Sequence, residues 1–375
     1  MAEDIYLRLA MHLDDLPGGF PPTKNGIELR ILKQLFTPED ANLALSLTLI
    51  AEEAYVIARR VGIPIEKAIK QLDTMEKKGL IYSIHTPNKP PKYIALQFII
   101  GIWEFQVNKL NPQLVKDVGE YMKSWADAEV WKKVPQIRSI PVEKSIDNQI
   151  KVMPYERAEN LIRSKNKIVA SPCICRTEQQ LIGKGCDKPL ETCLSFGTGA
   201  EFYERNGMGR LITKEEALLI LRQADSAGLV LSLGNAQNST FICACCGCCC
   251  GVLRTLKYYP KPGTIVSSAF VAELNQEICS GCGICIERCQ MDALQLSNRE
   301  LTLDKERCIG CGLCVTVCPT KSLSLRRKTK DAQPNVPRNF LEMNIKLGQA
   351  RGKLSMGKLA GMAAKSTIDR LTAPK

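Results

Sequence analysis

The strongest constraint on this chain is a pair of four-cysteine runs near its end: Cys279, Cys282, Cys285 and Cys289, then Cys308, Cys311, Cys314 and Cys318. Each has the spacing Cys-x2-Cys-x2-Cys-x3-Cys. Two intervening residues let a tight loop turn three thiolates onto three corners of one iron–sulfur cubane, while the fourth corner needs a thiolate from elsewhere. The flanks repeat as well. Glu277-Ile-Cys-Ser-Gly-Cys-Gly-Ile-Cys and Glu306-Arg-Cys-Ile-Gly-Cys-Gly-Leu-Cys are one unit written twice, twenty-nine residues apart, which implies pseudo-twofold symmetry. Gly281, Gly283, Gly310 and Gly312 stand where backbone amides must approach cluster sulfurs. A short apolar alternation follows each run, at 293–296 and 322–325, as in the strands of a small sheet. Zinc and disulfides are the competing readings. Four-cysteine zinc sites use paired knuckles rather than two four-cysteine runs, and disulfides are disfavoured in a reducing compartment.

In these residues the stretch resembles the two-cluster bacterial ferredoxins. The resemblance implies two 4Fe-4S clusters, with the fourth cysteine of each run crossing to the other cluster. Carried over by position, one cluster takes Cys279, Cys282, Cys285 and Cys318, and the other takes Cys308, Cys311, Cys314 and Cys289. One departure stands out: Pro319 follows Cys318 as in the family, but Gln290 follows Cys289.

At 375 residues the chain has room for several cores, and 45% apolar with 24% charged residues is an ordinary globular balance. No opening stretch reads as a secretory signal and no apolar run approaches a membrane span. A cytoplasmic address is expected, which makes eighteen cysteines a matter of metal rather than disulfides. The net charge of +12 divides unevenly: 0 over 1–135, +5 over 136–272, −1 over 273–326 and +8 over 327–375. Each oxidised cubane with its thiolates removes about two further units, so the assembled protein is only mildly basic.

The expected class is α+β and multidomain. A loosely ordered lead-in, 1–24, holds Pro17-Gly18-Gly19 and Pro21-Pro22. From 25 to 135, helical spacing at 27–36, an N-cap at Thr37 with Pro38, further helices at 41–49, 52–61 and 64–78, and a hairpin at 80–84 with 93–96 give the order of a winged helix, which this region resembles. In a DNA-binding use, 64–78 would be the recognition helix, with Glu66, Lys67, Lys70, Asp73 and Lys77 outward and Ile65, Ile69 and Leu72 inward. Zero net charge weighs against nucleic acid and for structural or partner-docking use. Trp103, Trp125 and Trp131 read as core or domain-contact residues.

Residues 136–272 form a cysteine-rich domain expected to be α/β. A strand at 168–170 leads into Ser171-Pro172-Cys173-Ile174-Cys175-Arg176, followed by Cys186 and Cys193, a helix at 213–227, a strand at 229–233 and the run Cys243-Ala-Cys245-Cys246-Gly-Cys248-Cys249-Cys250. Six cysteines in eight residues are not packing, because buried free cysteine uses isolated positions. Cys243, Cys246 and Cys249 repeat the cubane-loop spacing, with a fourth thiolate to come from Cys173, Cys175, Cys186 or Cys193. Ten cysteines leave three options open: one cluster with spares, two clusters, or a cluster with more than four thiolates. Zinc or a thiolate redox site is the alternative.

The whole layout, a winged-helix-like front, a Cys-x-Cys-Arg and cysteine-run middle and a dicluster ferredoxin domain at 273–326, resembles a family of ferredoxin-type electron-transfer proteins of anaerobes. That resemblance covers about the first 325 residues and implies an electron conduit serving a redox enzyme or carrier. In the basic tail, 327–375, Leu347, Leu354, Leu359 and Met362 lie among lysines and arginines. Such a helix binds an acidic partner or an anionic membrane surface, and the alternative is a solvated terminus. No strand-associated Gly-x-Gly-x-x-Gly or Walker lysine motif is present, which argues against bound flavin or nicotinamide. His12 and His85 are the only histidines, leaving little material for acid–base catalysis. Electron transfer is the leading function. The alternatives are a reductase with a substrate-binding cluster in the middle domain and a redox-responsive winged-helix transcription factor.

Overall fold

The computed structural model describes residues 4–147 and 150–373. They fall into two compact units, one built from the chain up to Ala126 and from Asn344 onward, the other from Asp127–Met343. Helix and sheet are mixed, at 44% and 15% of residues, and every named strand pair is antiparallel.

In the first unit the helices Ile27–Leu35 and Pro38–Ala44 lead to a three-stranded sheet in the order Glu52–Glu53, Lys92–Ile94, Tyr82–Ile84, with the helices Ala54–Val61 and Ile65–Lys78 inserted between its first strand and the other two. Local chemistry sets the helix ends. Thr37 Oγ1 accepts from the Asp40 amide at 3.1 Å while the Asp40 carboxylate accepts from the Thr37 amide at 3.3 Å, a reciprocal cap. Gly62 and Gly79, at φ 74° and 76°, close the next two helices. The helix Ile65–Lys78 buries Ala68, Leu72 and Met75, so Leu72 faces inward as expected while Ile65 is half-buried and Ile69 is exposed. On the expected outward face, Asp73 accepts a hydrogen bond from Tyr93 Oη at 2.9 Å. Residues 1–24, expected as a loose lead-in, carry the helix Ile5–Asp14, whose Leu9 and Leu13 are buried. Asp14 binds Arg351 at 2.7 Å and Lys353 at 2.6 Å, so part of the tail's basic charge is spent inside its own unit. Trp103 and Trp125 are buried, in keeping with a core role.

The second unit is built on a six-stranded sheet in the order Ile137–Ile140, Val230–Gly234, Phe241–Cys245, Glu191–Phe196, Ile168–Pro172, Arg210–Leu211. The helix Ile174–Leu181 follows the strand Ile168–Pro172, yet that strand pairs antiparallel with Glu191–Phe196, so this region is α+β rather than the α/β arrangement expected. Beyond it, Phe270–Leu274 pairs with Leu323–Arg327, and Leu294–Ser297 with Glu300–Leu303, placing strands on both apolar alternations that follow the cysteine runs. The cysteine-rich and ferredoxin-like segments interlock. The Val142 amide donates to the Cys311 carbonyl at 3.0 Å and the Gly263 amide to the Glu306 carbonyl at 2.8 Å. Arg288 Nη1 reaches the Ser226 carbonyl at 2.9 Å.

Candidate metal centres

The two repeated loops adopt the same backbone. Gly281 and Gly310 sit at φ 65° and 66°, and Gly283 and Gly312 both at 77°. A Cβ on Gly281 would overlap the Arg299 carbonyl oxygen, and one on Gly310 the Phe270 carbonyl oxygen. Glycine is therefore required there twice over, by dihedral and by space.

The loops wrap two cavities. One is lined by Cys279, Cys282, Cys285 and, from the second run, Cys318. The other is lined by Cys308, Cys311, Cys314 and, from the first run, Cys289. Both abut one apolar core of Ala272, Leu294, Leu301 and Leu323, which also contains Cys285 and Cys314. Donors already point at the sulfurs. The Ala272 amide lies 3.4 Å from Cys308 Sγ, the Ala293 amide 3.2 Å from Cys289 Sγ, and Ser322 Oγ 3.2 Å from Cys318 Sγ. Burial pushes the Cys285 thiol up to about 11 and Cys311 up to about 12. At Cys318 burial pushes the same way, but hydrogen bonds led by the Ser322 hydroxyl and the Leu323 amide outweigh it and bring the thiol down to about 7. Burial also raises the Cys308 and Cys314 thiols, so these two, with Cys285 and Cys311, need a bound cation to become thiolates, and four convergent soft ligands around a cavity fit an iron–sulfur group.

The ten cysteines of the sheet region divide into two sets. Cys186, Cys246, Cys248 and Cys249 converge, with all four sulfurs within 4.8 Å of one another. Cys246 and Cys249 follow the strand Phe241–Cys245 in a turn, whereas Cys243 lies on the strand, across from Cys193 with the sulfurs 4.0 Å apart. Extended backbone therefore keeps Cys243 out of the loop that the spacing suggested, and Cys248 joins Cys246 and Cys249 instead. The remaining sulfurs form a chain of contacts from Cys173 through Cys175, Cys250, Cys245 and Cys243 to Cys193. Hydrogen bonds from Cys243 and Cys250 lower the Cys245 thiol to about 5.

Arg176 sits between the two sets and is fully buried. Its Nη1 and Nη2 donate to the Ala244 carbonyl at 3.2 and 3.1 Å, Nη2 also to Thr192 Oγ1, and Nη1 lies 3.7 Å from Cys246 Sγ. Burial disfavours its charge, but the neighbouring sulfurs of Cys173, Cys246 and Cys245 outweigh this and hold the guanidinium above its ordinary value. Of these, Cys245 and Cys246 are held below the ordinary thiol value and Cys173 well above it, so the anionic compensation nearest the buried cation comes from Cys245 and Cys246. Neither Arg176 nor Cys248 stood out as a site residue in the sequence; the signal for Arg176 was its place directly after Cys173-x-Cys175.

Gln290, the departure from the proline pattern, faces the cysteine run. Its Oε1 accepts the Gly247 amide at 2.7 Å, between Cys246 and Cys248, and Gly247 is buried where a side chain would run into the Gln290 carbonyl oxygen. The side chain after one ferredoxin-type cysteine thus fastens the turn that bears the convergent four.

In comparison with known families, residues 272–325 are similar to the 4Fe-4S dicluster domain. No curated protein and no solved structure matches. The chain carries a ferredoxin-type 4Fe-4S domain toward its C-terminal side, and that domain with its cysteines supports an iron–sulfur electron-transfer role. Among the described residues no helix is long and apolar enough to cross a membrane.

Proposed function

We propose that the chain is an electron conduit passing one-electron equivalents between a low-potential donor and a partner oxidoreductase. What carries this reading is the sorting of eight cysteines into two four-thiol cavities around one shared apolar core. When bound, each 4Fe-4S group supplies a reversible one-electron couple. Cys279, Cys282, Cys285 and Cys318 hold one group, and Cys308, Cys311, Cys314 and Cys289 hold the other. The amides of Ala272 and Ala293 and the Ser322 hydroxyl donate to ligand sulfurs and favour the more negative, reduced form. Leu294, Leu301 and Leu323 keep water from the space between the two sets.

A further iron–sulfur cluster belongs on the sulfurs of Cys193, Cys243 and Cys245, which lie on strands, with those of Cys173, Cys175 and Cys250 beside them. Among the described residues no three of them lie within 4.8 Å of one another, as ligands of a single ion would. Their spread suits a group with several metal atoms, and Arg176 supplies a counter-charge. The N-terminal unit is read as a winged-helix-like docking module, because its element order is that of the fold while Asp73 and Glu66 on the helix Ile65–Lys78 would repel phosphates. EPR of the anaerobically purified, reduced chain tests the proposal: signals from reduced iron–sulfur clusters are expected, and a preparation holding zinc without iron removes it.

A further inference from the structure

The four cysteines brought together at the end of the strand Phe241–Cys245 have a geometry unlike that of the ferredoxin-type sets. Cys186 Sγ lies 3.9 Å from Cys246 Sγ and 3.6 Å from Cys249 Sγ, and with Cys248 all four fall within 4.8 Å of one another. Four sulfurs at the corners of a tetrahedron around one ion, with metal–sulfur bonds of about 2.3 Å, stand about 3.8 Å apart. A cubane asks for more room, because each of its four protein sulfurs binds a different iron. The two ferredoxin-type sets act as an internal standard, since among the described residues no three of their sulfurs come within 4.8 Å of one another.

We propose that Cys186, Cys246, Cys248 and Cys249 bind a single tetrahedral divalent metal ion, zinc or ferrous iron, as a closed site separate from the iron–sulfur clusters. Cys246-Gly-Cys-Cys249 contains the Cys-x2-Cys knuckle from which such sites are built. The Cys250 amide closes the turn on the Cys246 carbonyl at 3.0 Å, and Gln290 holds Gly247 from outside. Cys186 arrives from the segment between the helix Ile174–Leu181 and the strand Glu191–Phe196, so the ion would pin that segment to the knuckle. Binding replaces the thiol protons by one dication, releasing up to four protons and leaving a site of charge −2. Arg176 Nη1, 3.7 Å from Cys246 Sγ, offsets part of that charge. The proposal stands apart from the electron-transfer reading, since either ion satisfies it.

The test is metal and acid-labile sulfide analysis of the anaerobically purified full chain beside its Cys186→Ser and Cys248→Ser variants. Each variant is expected to lose one metal atom per chain, with sulfide and the EPR signals of the reduced ferredoxin-type clusters unchanged. Whether that atom is zinc or iron names the ion. Loss of several irons with matching sulfide would place a cluster there and overturn the proposal, and so would no loss of metal. Because Cys248 is exposed, its variant disturbs packing least. Should both variants fail to fold, zinc-edge X-ray absorption and Mössbauer spectroscopy of the unaltered chain decide. One ion with four sulfur neighbours at about 2.3 Å supports the site, and no mononuclear tetrathiolate signal by either method removes it.

Discussion

Replacing glycine by alanine at two positions of the repeated loops separates backbone strain from steric exclusion. At Gly283, φ is 77° and the nearest atom to an added Cβ is Leu296 Cδ2 at 3.6 Å, an ordinary contact. Gly283→Ala therefore costs only the left-handed penalty, about 1–2 kcal/mol. At Gly310, φ is 66° and the same methyl overlaps the Phe270 carbonyl oxygen. That carbonyl belongs to the strand whose Ala272 amide donates to Cys308 Sγ. Displacing it adds an overpacking cost of about 1–3 kcal/mol to the dihedral penalty. The difference corresponds to roughly a five- to 160-fold larger population of the opened site at about 1.36 kcal/mol per decade. Iron retained per chain after anaerobic purification, and the denaturant concentration at which visible cluster absorbance bleaches, both read this difference. Gly310→Ala should lose iron and bleach earlier than Gly283→Ala. Equal behaviour, or the reverse order, would refute the claim that close backbone packing around the second loop holds its cavity open.

Four further outcomes are expected. Gln290→Ala strips the buried Gly247 amide of its acceptor and should lower stability by about 1–3 kcal/mol; Gln290→Glu, which keeps an acceptor, should lose less, and equal denaturation midpoints for the two would count against the contact. Arg176→Met removes the cation between the sulfur sets and should deplete metal in the sheet region while sparing the EPR signals of the ferredoxin-type clusters; full metal content would sink its role as counter-charge. Arg60, between Glu52 and Asp369, should cost about 3 kcal/mol on substitution by methionine, measured by chemical denaturation, because the buried Glu52 carboxylate and the half-buried Asp369 lose their partner. At Asp14 burial opposes ionisation, but hydrogen bonds from Lys353, the Phe20 amide and Arg351 outweigh it and hold the carboxyl below its ordinary 3.8. Its contribution to stability is thus full above that ordinary value and lost as pH falls through the lower folded value. An acid titration of unfolding should flatten in Asp14→Asn, and an unchanged profile contradicts the assignment.

What could be read from the sequence followed from how local the governing physics is. The ferredoxin-type loops were legible because Cys-x2-Cys-x2-Cys and its glycines dictate a backbone within nine residues, and the repeat betrayed the symmetry that the paired φ values of Gly281 and Gly310 display. Helix ends at Thr37, Gly62 and Gly79 were legible for the same reason. The cysteine run was less so. Its spacing matches a loop, but sheet pairing of Cys243 with Cys193 draws the first cysteine onto a strand, and that pairing spans fifty residues of sequence. The buried role of Arg176 depends on Ala244 and Cys246, about seventy residues away, and the Gln290 contact on a turn forty-three residues upstream. The helix Ile5–Asp14 was hidden by the prolines and glycines that follow it, which mark a break after the helix rather than disorder before it.

The measurement that bears most directly on the central claim is iron and acid-labile sulfide per chain, taken together with EPR of the reduced protein. Two cubanes in the paired loops require about eight irons and eight sulfides before any middle-region metal is added, with spectra showing two reduced clusters close enough to interact. A folded, anaerobically prepared chain that contains zinc but no iron, or one with iron for a single cluster only, would contradict it.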